Sequence, residues 1–266
     1  MTTLPSLRSS SPTTTRSAPL RSILSALALV VLAASAPAQM PGGGRSGINA
    51  AMLKLFGEFS SFSSKAEVRM LDKGAKEPIS MMVDFSMLDG QVRMDLDIST
   101  LKSTEVSAEI LQSFKAAGLD KVTTIIRPHQ KSALLIYPVV RGYVDLPMSK
   151  EEAADMDRKF TVARTKLGRE TVDGQPCDKT QVRLEADNGD KQEAIVWYSP
   201  AAKNFPVKME MTQEQMVVTV QYREVKTTKP DAQRFQVPAG FAKQASVEQL
   251  MQSAMLKMLG GGGKAP

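Results

Sequence analysis

The sequence predicts a mainly β (α+β) protein built on antiparallel strands. Three observations lead there: a hairpin with a fixed register at residues 79–98, a second one at 207–222, and no alternation of strands with helices of the βαβ kind. In ISMMVDFSMLDGQVRMDLDI, Asp89-Gly90 is a preferred type I′ turn, and a two-residue turn sets which residues face each other across the hairpin. Met87 then opposes Val92, Phe85 opposes Met94, Val83 opposes Leu96 and Met81 opposes Ile98. All eight are apolar, while Asp84, Ser86, Arg93, Asp95 and Asp97 fall on the other face, as in a sheet with one wet side.

The second hairpin behaves in the same way. With Glu214-Gln215 as its loop, Met211 meets Val218, Met209 meets Val220 and Val207 meets Tyr222. Further strands are expected at 61–70, 122–128, 132–137, 141–146, 160–172, 178–186 and 192–199, with turns at Asp173-Gly174 and Asn188-Gly189. Helical spacing of Ile48, Met52, Leu55, Phe56 and Phe59 predicts a short helix ahead of the first strand. A second helix is expected at 103–117, ended by Gly118, and a third after Ser149, whose Glu152 completes a capping box. The last opens at Ser246 and Gln249, places Val247, Leu250, Met251, Ala254, Met258 and Leu259 on one face, and stops in the Gly-rich tail 260–266.

The N-terminus has the layout of a secretory signal. Arg8, Arg16 and Arg21 are the only charges ahead of an apolar run at 23–34 and the small-residue pattern Ala36-Pro37-Ala38. As a helix that run spans roughly 18 Å against a hydrocarbon core of about 30 Å, so a cleavable signal at 1–38, cut after Ala38, is expected rather than a membrane span. Residues 39–47 read as a flexible linker and 48–259 as one domain working in the periplasm or outside the cell. Loss of the signal removes three arginines and no acid, so the net charge falls from +6 to +3. The remaining cations alternate with acids, which argues against nucleic acid as a partner.

A two-stranded hairpin does not stand alone in water, so its apolar face must be covered. Either a second sheet does this, or one strongly curved sheet does it with its own far side and with the helices at both ends of the chain. Methionines are frequent on the faces read as inward, among them Met70, Met81, Met87, Met94, Met209 and Met211. They suit an ordinary core, and they equally suit a surface that adapts to varied apolar shapes. On the second reading the lining of an apolar ligand site is Met81, Val83, Phe85, Met94, Leu96, Met209, Met211 and Val220.

Four stretches carry a family resemblance: 170–179 (ETVDGQPCDK), Val196-Trp197-Tyr198, 205–210 (FPVKME) and 235–241 (FQVPAGF). Over residues 62–242 the chain resembles exported lipoprotein-sorting-like (LolA/LolB-like) β domains, including their uncharacterised secreted branch. The resemblance implies an incompletely closed, curved antiparallel barrel or half-barrel. Its covering helices would hold a lipid or acylated chain against the sheet, with another envelope protein as a further partner.

Enzymatic chemistry finds little support. His129 is the one histidine and Cys177 the one cysteine, so no two-histidine metal site and no intramolecular disulfide can form. A nucleophilic Cys177 would want His129 beside it, and Glu151, Glu152, Asp155 and Asp157 read as a solvated, capped helix rather than an acid/base pair. No cofactor is called for. The expected role is an exported binder of an apolar ligand, and the alternative is a non-enzymatic envelope domain with a filled core.

Overall fold

The structure, a computed structural model, describes residues 50–104, 106–213 and 216–260. The expected signal and linker, Ile48, the Glu214-Gln215 loop and the tail beyond Gly260 lie outside the described residues. Twelve strands form one curved, unclosed sheet in the order β12-β6-β5-β4-β3-β2-β1-β11-β10-β9-β8-β7. In chain order these are β1 (Ser61–Asp72), β2 (Ile79–Leu88), β3 (Gln91–Asp97), β4 (Lys121–Arg127), β5 (Ser132–Tyr137) and β6 (Gly142–Pro147). There follow β7 (Phe160–Val172), β8 (Gln175–Ala186), β9 (Lys191–Ser199), β10 (Phe205–Gln213), β11 (Met216–Lys226) and β12 (Ala242–Lys243). Four helices accompany them: α1 (Ala50–Leu55), α2 (Ala108–Ala116), α3 (Lys150–Asp157) and α4 (Val247–Gly260).

Both hairpins take the expected register. β2 and β3 pair Val83 with Leu96, Phe85 with Met94 and Met87 with Val92, around Asp89 and Gly90 at φ of 49° and 84°. Two positive φ values in succession are what a type I′ turn requires, and only the second is easy for lack of a side chain. β10 and β11 pair Met209 with Val220 and Met211 with Val218.

Two expected pairs are absent. Met81 does not face Ile98, because β3 stops at Asp97, whose carboxylate accepts from the Ser99 backbone N–H (3.0 Å) and starts a 3₁₀ turn over Ile98–Thr100. The Ile98 N–H then donates to the Asp120 carbonyl instead, at 2.8 Å, and Met81 is left paired with Val68 of β1. Val207 does not enter the register of β10 with β11, since a bulge between Pro206 and Lys208 takes it out of step with β9.

Local chemistry sets the helix boundaries. α2 begins only at Ala108, because the Ser107 hydroxyl caps it by accepting from the Ile110 N–H, so 101–107 is loop rather than helix. Gly118 follows its end with φ +68°. α3 carries the full capping box, with the Ser149 hydroxyl accepting from the Glu152 N–H (3.1 Å) and Glu152 accepting from the Ser149 N–H (2.7 Å).

The sheet has an inner face, where α1, α2, α3 and α4 pack, and an outer face. On the inner side Phe56, just after α1, meets Phe62, Phe85, Phe205 and Tyr222 with ring centroids 4.9–6.2 Å apart. A second inner cluster sets Phe114 of α2 and Leu250 and Ala254 of α4 over Val122, Leu135 and Val144. The outer face is not uniformly wet, which departs from the expected division. Leu88, Ile125, Leu134 and Ile136 are buried there under Phe235, and the Arg93 guanidinium holds that segment by donating to the Arg234 carbonyl. The apolar run of β5, and the five consecutive buried residues of β4, two of them threonines, record burial on both sides.

Candidate functional site

Strand register alone puts the eight expected lining residues on the inner face. A row of facing partners runs from Met81 through Val68, Val220, Met209 and Val196 to Thr180. A parallel row runs from Ile79 through Met70, Val218, Met211 and Ala194 to Val182. Val83 with Leu96, and Phe85 with Met94, extend the same face across β3.

Burial divides the eight into two groups. Val83, Phe85, Met209 and Val220 are at most 5% exposed and belong to the filled core. Phe85 in particular sits 5.8 Å from Phe56 and 5.7 Å from Tyr222, ring to ring. Met81, Met94, Leu96 and Met211 are only half-buried, and so are Val68, Met70, Ile79 and Val218 beside them. Sequence reasoning placed Met70 inward and paired Val218 with Met211, yet did not count Val68, Met70, Ile79 or Val218 as lining. Period-two patterning assigns a face, whereas coverage depends on where the helices end. The half-buried group forms a strip across β3, β2, β1, β11 and β10, in which Val68, Met94, Met211 and Val218 pack against the filled core.

Just before the start of β2, the chain lines a cavity of about 370 Å³, with Glu77, Pro78, Leu101, Lys102, Val106 and Leu111 among its walls. The loop that walls it is fastened to β2: Ser80 and Lys102 exchange two backbone hydrogen bonds (3.0 and 2.8 Å), and the Met82 N–H donates to the Thr100 hydroxyl at 3.0 Å. α2 closes the far wall with Leu111.

The hydroxyls of Tyr222, Ser64 and Tyr198 are buried with no hydrogen-bond partner among the described residues. Burial drives the Tyr222 phenol well above its ordinary range. Tyr137 differs, since its hydroxyl donates to the Leu119 carbonyl at 3.0 Å, and burial, with Asp120 nearby, pushes its pKa up to about 12.

The groups weighed for catalysis are not brought together. His129 lies in the turn between β4 and β5, Cys177 on β8, and six strands stand between them in the sheet order. Cys177 is buried on the outer face with Val172 and Trp197, and burial raises its thiol pKa. On α3, Glu152 serves the cap, Asp155 pairs with Arg158 (3.2 Å) and Asp157 with Lys131 (3.1 Å). Trp197 and Tyr198 do point to opposite faces: Lys208 and Lys179 lie 4.1 and 5.0 Å over the Trp197 ring outside, while Tyr198 packs on the inner core. Among the described residues no group of three or more His, Cys, Asp or Glu side chains is placed to hold a metal ion, and no helix is long and apolar enough to cross a membrane.

No protein-family model matches the chain, and none of the curated proteins does. Among solved structures the chain is similar to the lipoprotein LppX of Mycobacterium tuberculosis, at 11% identity and a TM-score of 0.38, over 67% of this chain and 92% of that one. It is similar to a LolA superfamily protein from Nitrosomonas europaea at 12% identity and a TM-score of 0.30, over 71% and 98% of the two chains. An outer membrane lipoprotein-sorting protein domain from Vibrio parahaemolyticus matches at 13% and 0.30, over 70% and 94%. The last two bear the family description expected for residues 62–242.

Proposed function

We propose that this protein binds an apolar ligand, a lipid or an acylated chain, against the inner face of its curved sheet. The observation that carries the reading is the half-buried strip of Met70, Met81, Met211, Val68, Val218 and Leu96, which continues the filled core in register and is left without full cover. Contiguous apolar surface that stays accessible beside a packed core is what a ligand of the same character covers. Half of these strip residues are methionines, whose unbranched, polarizable side chains adapt to tails of different shape. The strip itself carries no charged or hydroxyl side chain, which favours binding by burial and dispersion over chemistry on the ligand, so no catalytic step is assigned. With the signal read from residues 1–38, the place of action is the periplasm or the exterior.

The test is mass spectrometry on protein purified from a bacterial periplasm without detergent, run both on the native protein and on its organic extract. Lipid recovered at near-stoichiometric amount supports the proposal and identifies the ligand class. A clean protein mass, together with failure to take up added palmitate, overturns it.

A further inference from the structure

The sheet treats its two edges differently. On one side the chain covers β6 with Ala242–Lys243, paired in parallel with Gly142 and Tyr143. On the other, β7 has no neighbour beyond it among the described residues, and most of its thirteen residues are exposed. Between positions 158 and 169 the chain carries five cations, Arg158, Lys159, Arg164, Lys166 and Arg169, and no acid. Register with β8 sets Arg164 opposite Val182 and Lys166 opposite Thr180, so both stand on the inner face at its rim, two residues apart. Arg164 makes no ion pair among the described residues, whereas Lys166 and Arg169 share Asp178, at 3.2 and 3.1 Å. A bulge between Lys166 and Gly168 ends the regular edge, and Phe160 to Lys166 remains as a seven-residue template, the length of an ordinary strand.

We propose that this edge accepts an extended acidic segment of a protein partner as an added strand, with acids at alternate positions opposite Arg164 and Lys166. An open edge offers a row of unpaired backbone donors and acceptors to any extended chain, and charge decides which chain is admitted. A second copy of β7 in the register that sets Arg164 against Lys166 would bring cations against cations, which disfavours it. An acidic strand turns the same two positions into opposite-charge cross-strand pairs. Period-two geometry requires its acids to be two residues apart, so that both reach the same face.

Two seven-residue extended peptides test this against the purified protein at low salt, one with Glu at positions one and three, which antiparallel pairing with 160–166 sets opposite Lys166 and Arg164, and one with Lys there. Binding is read by anisotropy, and the bound amides by hydrogen exchange. The proposal expects the Glu peptide to bind and to slow exchange at 160–166, and expects the variant R164E/K166E to prefer the Lys peptide by roughly tenfold. It is overturned if the two peptides bind alike, if the Glu peptide does not bind, if protection falls elsewhere, or if the folded variant keeps the original preference. Should the double variant not fold, Arg164→Gln decides, since it leaves the Lys166 ion pair in place: weakened binding of the Glu peptide supports the proposal and unchanged binding contradicts it.

Discussion

Tyr222 shows how a single residue reports on the interior. Its ring packs among Phe56, Phe62, Phe85 and Phe205, while its hydroxyl is buried without a partner among the described residues. A buried unpaired hydroxyl costs about 1–3 kcal/mol. Tyr222→Phe is therefore expected to leave stability unchanged or to raise it by about 1 kcal/mol, as checked by urea unfolding, and a loss of 1 kcal/mol or more would mean that the hydroxyl has a partner. Cys177 makes a second residue-scale prediction. It is 1% exposed and its thiol is shifted upward by burial, so iodoacetamide at pH 8 should label it only after unfolding. Rapid labelling of the native protein would contradict the packing described for β8 and β9.

At the scale of elements, the long β7–β8 hairpin is laced by ion pairs rather than by a core on both sides. Hydrogen bonds from Lys166 and Arg169 hold the Asp178 carboxyl below its ordinary range, and one from Lys179 does the same for Glu170. A carboxylate whose folded pKa is depressed adds stability above its unfolded pKa, and that stability is lost as pH falls through the folded value. The melting temperature should thus stay level from pH 8 to about 5 and fall below about pH 4, with a smaller fall in Asp178→Asn. The effect is modest because these pairs are exposed and salt-screened. Hairpins were the elements most legible in the sequence. Asp89-Gly90 fixed one register through its turn, and Met209 to Met211 against Val218 to Val220 fixed another through its pattern. Harder to read was the end of β3, where the Asp97 side chain bonds its own backbone two residues on and diverts Ile98. The two-residue β12 and the packing of Phe235 on the outer face are tertiary events with no local period.

For the whole molecule, the sheet's curvature and unequal cover matter more than any single side chain. α1 and Phe56 fill one part of the inner face, α2 and α4 another, and the strip from Met81 to Met211 lies between full burial and solvent. The eight expected lining residues were correctly assigned to one face, because facing partners share a side. Which of them stay accessible depended on helix ends and loop anchors that no alternation encodes, such as the Ser80–Lys102 bridge. Half-burial also decides how the site can be probed. Met209→Glu, at a position 0% exposed, would leave a charge in the core and unfold the protein, whereas Met211 and Met81 reach solvent. The most direct measurement is titration with a fluorescent fatty acid of the native protein, of Met81→Glu/Met211→Glu, and of Leu167→Glu on the exposed bulge of β7, each checked for a native melting transition. Saturable uptake by the native protein and by Leu167→Glu, with at least a tenfold loss in the folded double variant, is the predicted result, since two charges on the strip remove several kcal/mol of apolar contact. Equal uptake by all three folded proteins would contradict the assignment of ligand binding to the inner strip.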